Sequence, residues 1–508
     1  MKKKWLILLA SLGVILLASS VGVTTASFFD QEISSGNTFE AWTSILWRQT
    51  TQADFNAGVP NNVDTSSSPG NVTLAVKSGW YNGSWAYRKK LTFNNSGQAE
   101  DLTDFTVLVA LDSSNFDFNK AEYNGEDVRF VDSDNTTLKY EIERWDKGGQ
   151  RAWIWVRVPQ IDASSSTDYI WMYYGNPGAS DGQDVTNTWR PKWKTVCHMA
   201  QASGSEKDSI TNSFDYVQKG TVNSMDGKIG RARSVSSGGD ANYFDRGNPD
   251  SLKNVRPHTI MAWINPSSFP VTYSRPISKE PAGGAGLDWE TGTENGQKLR
   301  QWVGASQDSN SAMTAGTWYF WATTFNAVSA KIYLNGSLDK DGTLSDTDDS
   351  GANLLLFRSG KGTGRYFYGE IDEFRIYSGE LSAAWLKAEY LSMTTAFVTY
   401  GAETSKYVSS GTIASQVLDT EVDGARWDAL FWDETVEAGT TDIIFEVRAS
   451  DTWFDKGDAT PDWTDLGTTN SPITSGLPWG RYKQWRATLT TSDTSKTSVL
   501  HEVRLYYY

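Results

Sequence analysis

Apolar and polar residues alternate along most of the chain in short runs, broken roughly every 8–12 residues by Gly, Asn, Asp or Ser. A period of two is the pattern of half-buried strands, because successive side chains point to opposite faces. Helical periodicity is nearly absent. The pattern predicts an all-β chain of tandem β-sandwiches. Strands are expected over Arg88–Phe93, Phe105–Leu111, Val128–Val131, Leu138–Trp145, Ala152–Val158 and Asp168–Tyr174. Pro159 should end the fifth, having no N–H for the ladder, and Gly175-Asn176-Pro177 the sixth. Both faces of Trp153–Val158 are bulky, which predicts a central strand. Asn335-Gly336 is a two-residue turn signal. One helix is expected over Ala383–Ser392, with Ser382 as its N-cap.

The first residues break the β pattern. Lys2, Lys3 and Lys4 precede a mostly apolar run, Trp5 to Val23, and then Thr24-Thr25-Ala26. A basic head, an apolar middle and small residues make an export signal. Residues 1–26 are therefore expected to be a signal peptide cut near Ala26, or a retained N-terminal anchor helix. Either places the remainder outside the cytoplasm, extracellular or at the cell surface. Residues 27–79 read as an N-terminal arm with one or two strands, at Phe39–Leu46 and Val72–Val76. Asp30, Glu32, Ser35, Gly36, Asn37, Phe39 and Ala41 resemble the mature start of camelysin and TasA-type exported matrix proteins. Several of those polymerise into extracellular fibres, so the resemblance implies self-assembly through the arm as one possible role.

Composition narrows the classes. A chain of 508 residues is too long for one ordinary domain. Its 46 basic and 61 acidic residues give a net charge of −15, which repels nucleic acid and anionic membrane. Cys197 is the only cysteine, so no intrachain disulfide forms and cohesion must come from cores, with bound cations as an optional addition. His198, His258 and His501 are far apart in sequence, which argues against zinc. Large aromatics make up 13% of the chain. They fill sandwich cores or stack on sugar faces, and core filling is the first reading for any one of them.

Three modules follow the arm. In residues 80–192, WAYRKKLTF, DVRFVDSDNTTLKYEIERWD, WIWVRVP and YIWMYYGNP resemble a domain-of-unknown-function family common in surface proteins of archaea and some bacteria. In residues 193–402, MDGKIGRARSV, TIMAWINPSS, TWYFWATTF, AKIYLNGSL and GEIDEFRIYSGELSAAWLKAEYL resemble a laminin-G/concanavalin-like jelly roll. In residues 405–508, ASQVLDTEVDGARWDALFWDE, IIFEVRAS and WGRYKQWRATLTT resemble a terminal β-sandwich of archaeal exported proteins. In such chains a stretch like Asn62–Ala75 often runs straight into one like SSGTIASQV. Here the middle modules separate them, so those modules read as an insertion, and residues 45–79 are expected to pack with the C-terminal strands.

The candidate chemistry is sparse. Glu370-Ile371-Asp372-Glu373-Phe374-Arg375 is similar to the Glu-x-Asp-x-x-Glu strand of laminarinase-type glucanases, which share the jelly-roll fold. Arg375 stands where the second catalytic carboxylate belongs, so a retaining pair about 5 Å apart cannot come from this strand alone. No G-x-S-x-G elbow, phosphate loop or H-E-x-x-H occurs. Cys197 beside His198 suggests a thiol nucleophile, but adjacent strand residues face opposite ways, so a buried cysteine is the better reading. Hard cations want oxygen ligands on loops. Resemblance to calcium-binding jelly rolls implies a rim site at Asp240 and Asn242 with Asp372, and Asp346, Asp348 and Asp349 form another acidic loop.

The function expected from sequence is a non-enzymatic extracellular or cell-surface binding or adhesion protein. Its jelly roll would recognise a glycan or a surface protein, with calcium as the one cofactor. The alternatives are a subunit of an extracellular filament, matrix or surface layer, and a glycan-active hydrolase using carboxylates from separate strands.

Overall fold

The computed structural model of the protein describes residues 24–29, 40–66, 70–269, 271–281, 289–294, 297–345, 351–394, 397–467 and 471–508. The basic and apolar leader, most of the camelysin-like stretch, and Asp346, Asp348 and Asp349 lie outside the described residues. Among the described residues, no helix is long and apolar enough to cross a membrane. The chain is nearly all β and divides into two compact units.

One unit joins residues 1–83 to 405–508. The strand Glu40–Gln49 pairs with Val499–Tyr507, from Ile45 opposite Tyr507 to Gln49 opposite Val503. Val72–Leu74 pairs with the same strand, and Val59–Asn61 pairs with Ser410–Ala414. The arm therefore supplies strands to both six-stranded sheets that enclose the core of Trp427, Leu430, Phe445, Trp485 and Leu505. The pairing has a physical cause. Val72 and Leu74 are fully buried, and the arm is too short to bury them by itself. Glu40–Gln49 is not a free strand: Thr24–Phe29 covers its other side and forms the sheet edge.

The other unit, residues 84–404, holds the middle modules. Its first part is a three-stranded sheet with Arg151–Ile161 between Leu102–Asp112 and Lys139–Asp146, beside a four-stranded sheet. The strand with two bulky faces is central, as its pattern predicts. Pro159 does not end it. The ladder runs on to Ile161 opposite Leu102, and Lys139–Asp146 pairs only as far as Arg157. Past that point one side of the strand has no neighbouring strand among the described residues, so the missing N–H disturbs little.

Two eight-stranded sheets form the jelly roll. Asn335 and Gly336 both take positive φ, 51° and 71°, as a tight hairpin requires. The helix spans Ala383–Ser392, and the Ser382 side chain accepts from the Trp385 amide. Strand His258–Pro266 is buried on both faces. Ile260, Ala262 and Ile264 face the jelly-roll core. Met261 and Trp263 join Leu386 and Ala388 of the helix, and Val107 and Val109 of the first module, in a second core. The outer face of this sheet is thus an internal seam between the two modules. Most tryptophans fill such cores; among the described residues only Trp453 and Trp479 are more than half exposed, at 55% and 60%.

Candidate functional site

The seam is organised by the strand Gly369–Tyr377. Opposite His258–Pro266, Met261 faces Arg375 and Trp263 faces Asp372, so this strand carries one extra residue. Glu373 sits at the bulge with φ of 51°. A non-glycine residue in that region costs about 1–3 kcal/mol and persists where its surroundings fix it. The bulge resets the alternation. Ile371, Phe374 and Ile376 point into the jelly-roll core, and Asp372, Glu373 and Arg375 turn together to the seam.

Lys139–Asp146 brings Glu141 and Glu143 to the same place, two residues apart and so on one face. Trp193–Cys197 leads to His198. Cys197 lies in the jelly-roll core, where burial pushes its thiol well up, and His198 points the opposite way. His198 Nδ1 lies 2.9 Å from Glu373 Oε1, and Nε2 lies 3.2 Å from Glu141 Oε2. Trp189 Nε1 donates to Glu141 Oε2 at 2.6 Å, and the Ser209 hydroxyl donates to Oε1 at 2.8 Å. Trp155 Nε1 donates to Glu143 Oε2 at 2.9 Å. The Arg375 guanidinium bonds Glu373, reaches Glu389 Oε2 at 3.4 Å, and lies 4.1 Å over the Trp155 ring and 4.6 Å over Trp189.

Charge is shared unevenly. Burial, then the charge of Glu373, holds the Glu143 carboxyl well above the usual range. Burial and the same neighbour raise Asp372. Burial would raise Glu373 too, but His198 and Arg375 hold it below its ordinary value. Burial opposes a charge on His198, yet Glu373 and Glu141 outweigh it and keep the imidazolium. Ligand atoms of Glu143, His198 and Glu373 come within 4.8 Å of one another. That proximity alone would admit a metal, but Arg375 and His198 already occupy the oxygens of Glu373 and supply the positive charge. The cluster is therefore an ion-pair network rather than a ligand set.

Two cavities flank the network. One, of 530 Å³, is lined by Glu141, Glu143, His198, Glu206 and neighbouring polar residues. The other, of 390 Å³, has Trp193, Tyr377 and Trp385 in its walls and Glu100, Asp101, Asp104 and Glu380 among its acids. Trp189 belongs to both surroundings: it is among the residues around the second cavity, and its N–H holds Glu141 of the first.

The three residues expected to bind calcium are not brought together. Asp240 accepts from the Gly364 amide at 2.6 Å and the Arg365 amide at 3.3 Å. Asn242 accepts from Thr221 N and donates to Ser237 O, both at 2.8 Å. Asp372 lies on the other sheet, fully buried, accepting from Ile229 N at 2.8 Å. Each makes local hydrogen bonds that fix the backbone around it. Sequence reading singled out neither Glu141 nor Glu143 nor Trp189, and met Glu373 only inside the glucanase-like strand. The signal for the first two was present, as paired acids at i and i+2 in an alternating run.

Comparison with known proteins matches this architecture in part. Residues 237–387 match the family described as the concanavalin A-like lectin/glucanases superfamily, and residues 124–224 match a domain of unknown function, DUF2341. Every residue lining the larger cavity falls within the second match. The chain thus carries a concanavalin-like jelly roll joined to a DUF2341 module. Curated proteins give no match. Among solved structures, domain 4 of AbnA, an extracellular GH43 arabinanase of Geobacillus stearothermophilus in complex with arabinotriose, is 20% identical; the match covers 39% of this chain and 98% of that one, at a TM-score of 0.32. The binding domain of Paraclostridial Mosquitocidal Protein 1 is 13% identical over 57% of this chain and 73% of its own, at 0.34. A Trypanosoma rangeli sialidase is 10% identical over 52% of this chain and 44% of its own, at 0.31.

Proposed function

We propose that this is a non-enzymatic binding protein of the cell surface or extracellular space, and that it holds a glycan in the 390 Å³ cavity. The observation that carries the reading is the make-up of that cavity. Tyr377 offers a half-buried ring backed by Trp193 and Trp385, which are 5% and 8% exposed, and carboxylates of Glu100, Asp101, Asp104 and Glu380 stand around them with Arg190 and Lys192. Sugars present apolar C–H faces and a fringe of hydroxyls, and such a wall meets both. The export-like leader and the resemblance to exported proteins support the location. Calcium on the jelly-roll rim remains part of the proposal, with Asp240 and Asn242 as candidates.

The test is a glycan array with the full mature chain, with and without chelator, followed by titration of the best oligosaccharide. Tyr377→Ala should weaken binding at least about tenfold, equal to about 1.4 kcal/mol. A folded protein that binds no glycan in either condition sinks the reading. Turnover of a glycan abolished by Glu143→Gln would favour a hydrolase instead. A filament subunit is the second reading, favoured by Thr24–Phe29 standing at a sheet edge, where unpaired backbone groups can recruit another chain. Deleting residues 24–29, which leaves Glu40–Gln49 in its sheet, should abolish assembly on that reading and leave glycan binding intact on the first.

A further inference from the structure

The two tryptophans that fill no core stand together at one end of the terminal sandwich. Trp453 follows the strand Thr441–Ser450, and Trp479 precedes the strand Tyr482–Thr491. These strands pair with Ser450 opposite Tyr482, so their two loops leave the sheet side by side. A Cβ added to Gly480 would sit 2.5 Å from the Ser450 nitrogen, so the loops touch through their backbones. Residues 420–426 form a third loop beside them. Asp451 ties all three, its Oδ1 accepting from the Gly424 amide at 2.6 Å and the Arg481 amide at 2.9 Å. The Gly480 amide donates to the Ala425 carbonyl at 3.1 Å.

The exposed rings are held in place. The Trp453 ring meets the ring of Tyr482 edge to face, with centroids 5.1 Å apart. The Arg426 guanidinium lies 4.0 Å from the Trp479 ring, and the Arg426 backbone exchanges two hydrogen bonds with Tyr508. From Trp479 to Tyr482 the chain spans at most about 10 Å, which brings both indoles within reach of one short oligosaccharide. Fixed aromatic surface left in water gives up the gain of burial, and clustered exposure of this kind marks an interaction site.

We propose that this end of the terminal sandwich binds a neutral polysaccharide, at a site separate from the 390 Å³ cavity. Its charges are engaged with one another. Arg481 donates to both oxygens of Asp419, at 2.7 and 3.1 Å, and approaches Asp423 at 3.9 Å, while Arg426 stacks on Trp479. What the loops offer a ligand is therefore flat apolar surface within a polar fringe, the complement of a sugar's C–H face and hydroxyls. A charged polymer needs an excess of the opposite charge. A stable protein interface needs about 800 Å² per partner around a core depleted of charge, whereas exposed Glu421, Asp423 and Arg426 stand in the loop beside these rings.

The experiment is affinity gel electrophoresis of the full chain through hydroxyethylcellulose, mannan or dextran, with polygalacturonate as the charged control. The parent carries Tyr377→Ala, so the cavity of the glycan reading is silenced. At least one neutral polymer should retard this parent, to the same degree at low and high salt. Trp479→Ala and Trp453→Ala should each weaken the retardation about tenfold, and the double variant should migrate as it does without polymer. Both side chains are exposed, so the variants should keep the parent's unfolding temperature. The proposal is overturned if no neutral polymer retards the parent, if the double variant is retarded as strongly, or if polygalacturonate acts as well as the neutral polymers. Self-association of the parent that the double variant abolishes would assign the rings to a second copy, and also overturns it. Each of these results leaves the cavity reading standing, because that reading is tested with Tyr377 intact.

Discussion

Two buried arginines show two ways of placing a cation inside a sheet protein. Arg375 in the middle modules and Arg448 in the terminal sandwich are 0% and 1% exposed. Arg375 meets carboxylates, those of Glu373 and Glu389. Arg448 meets neutral oxygens: Gln484 Oε1 at 2.8 Å and the Asp458 carbonyl at 2.7 Å, with Trp463 4.4 Å from its guanidinium. Lys483, beside Gln484, is held the same way, donating to the Ala425 carbonyl at 2.7 Å. Neutral acceptors satisfy direction without adding charge, which suits a scaffold. Carboxylates add charge that must be balanced by protons, by more cations or by a ligand. The terminal sandwich follows the first solution, and the seam beside the two cavities follows the second.

The largest expected effect tests that difference directly. Arg375→Met leaves Glu373 and Glu389 buried without their guanidinium, and should cost about 3–5 kcal/mol. Arg448→Met leaves neutral oxygens without donors, and should cost about 1–3 kcal/mol. Urea unfolding followed by tryptophan fluorescence, with each loss assigned to its own unit by limited proteolysis, reads both. Adding Glu373→Gln to Arg375→Met should recover part of the loss. Equal costs for the two arginines, or no recovery, would remove the distinction.

A smaller effect is a difference in sign with pH. Burial raises Glu389 and Glu206 to about 7 against partial compensation by Arg375 and Arg233. Between about pH 4.3 and 7 the folded middle unit therefore holds more protons than its unfolded chain, and its stability falls as pH rises. His198 acts in the same direction, because its raised value means that its contribution is full below about pH 6.5 and lost as pH rises through the folded value. Glu373, held low, opposes this only in acid, where its contribution disappears as pH falls below about 4. In the terminal sandwich burial lowers Lys483 to about 7. Between pH 7 and about 10.4 its unfolded chain holds the extra proton, so stability rises with pH. Calorimetry should show one transition falling from pH 5 to 8 and the other rising from pH 7 to 10, by a few kcal/mol each. Lys483→Met should flatten the second alone. Parallel slopes would contradict the contrast.

What the sequence revealed depends on range. The six strands expected in residues 80–192 occur within a few residues of their predicted bounds, because alternation is local. The split between the arm and the C-terminal strands was readable from one interrupted motif, and Ile45 opposite Tyr507 is its structural counterpart. The seam was not readable. Alternation puts Cys197 inside and His198 outside, but the carboxylates that meet His198 come from residues 57 and 175 positions away. Glu373 joins them because a bulge breaks the alternation that sequence reading relies on. Asp240, Asn242 and Asp372 were grouped by resemblance, and the two sheets separate them.

The smallest expected effect isolates the helix that covers the seam. Ser382 accepts from the Trp385 amide at 3.1 Å and also donates to Glu100 of the first module. Losing an N-cap costs about 1 kcal/mol. Ser382→Ala should lower the stability of the middle unit by that amount and leave the terminal sandwich unchanged. Ser382→Asp can still cap the helix but sets a second carboxylate against Glu100, so its loss should be smaller at low pH, where one of the two is protonated. If Ser382→Ala also weakened the terminal sandwich, the two units would be energetically coupled. Their charge solutions could then not be measured one at a time.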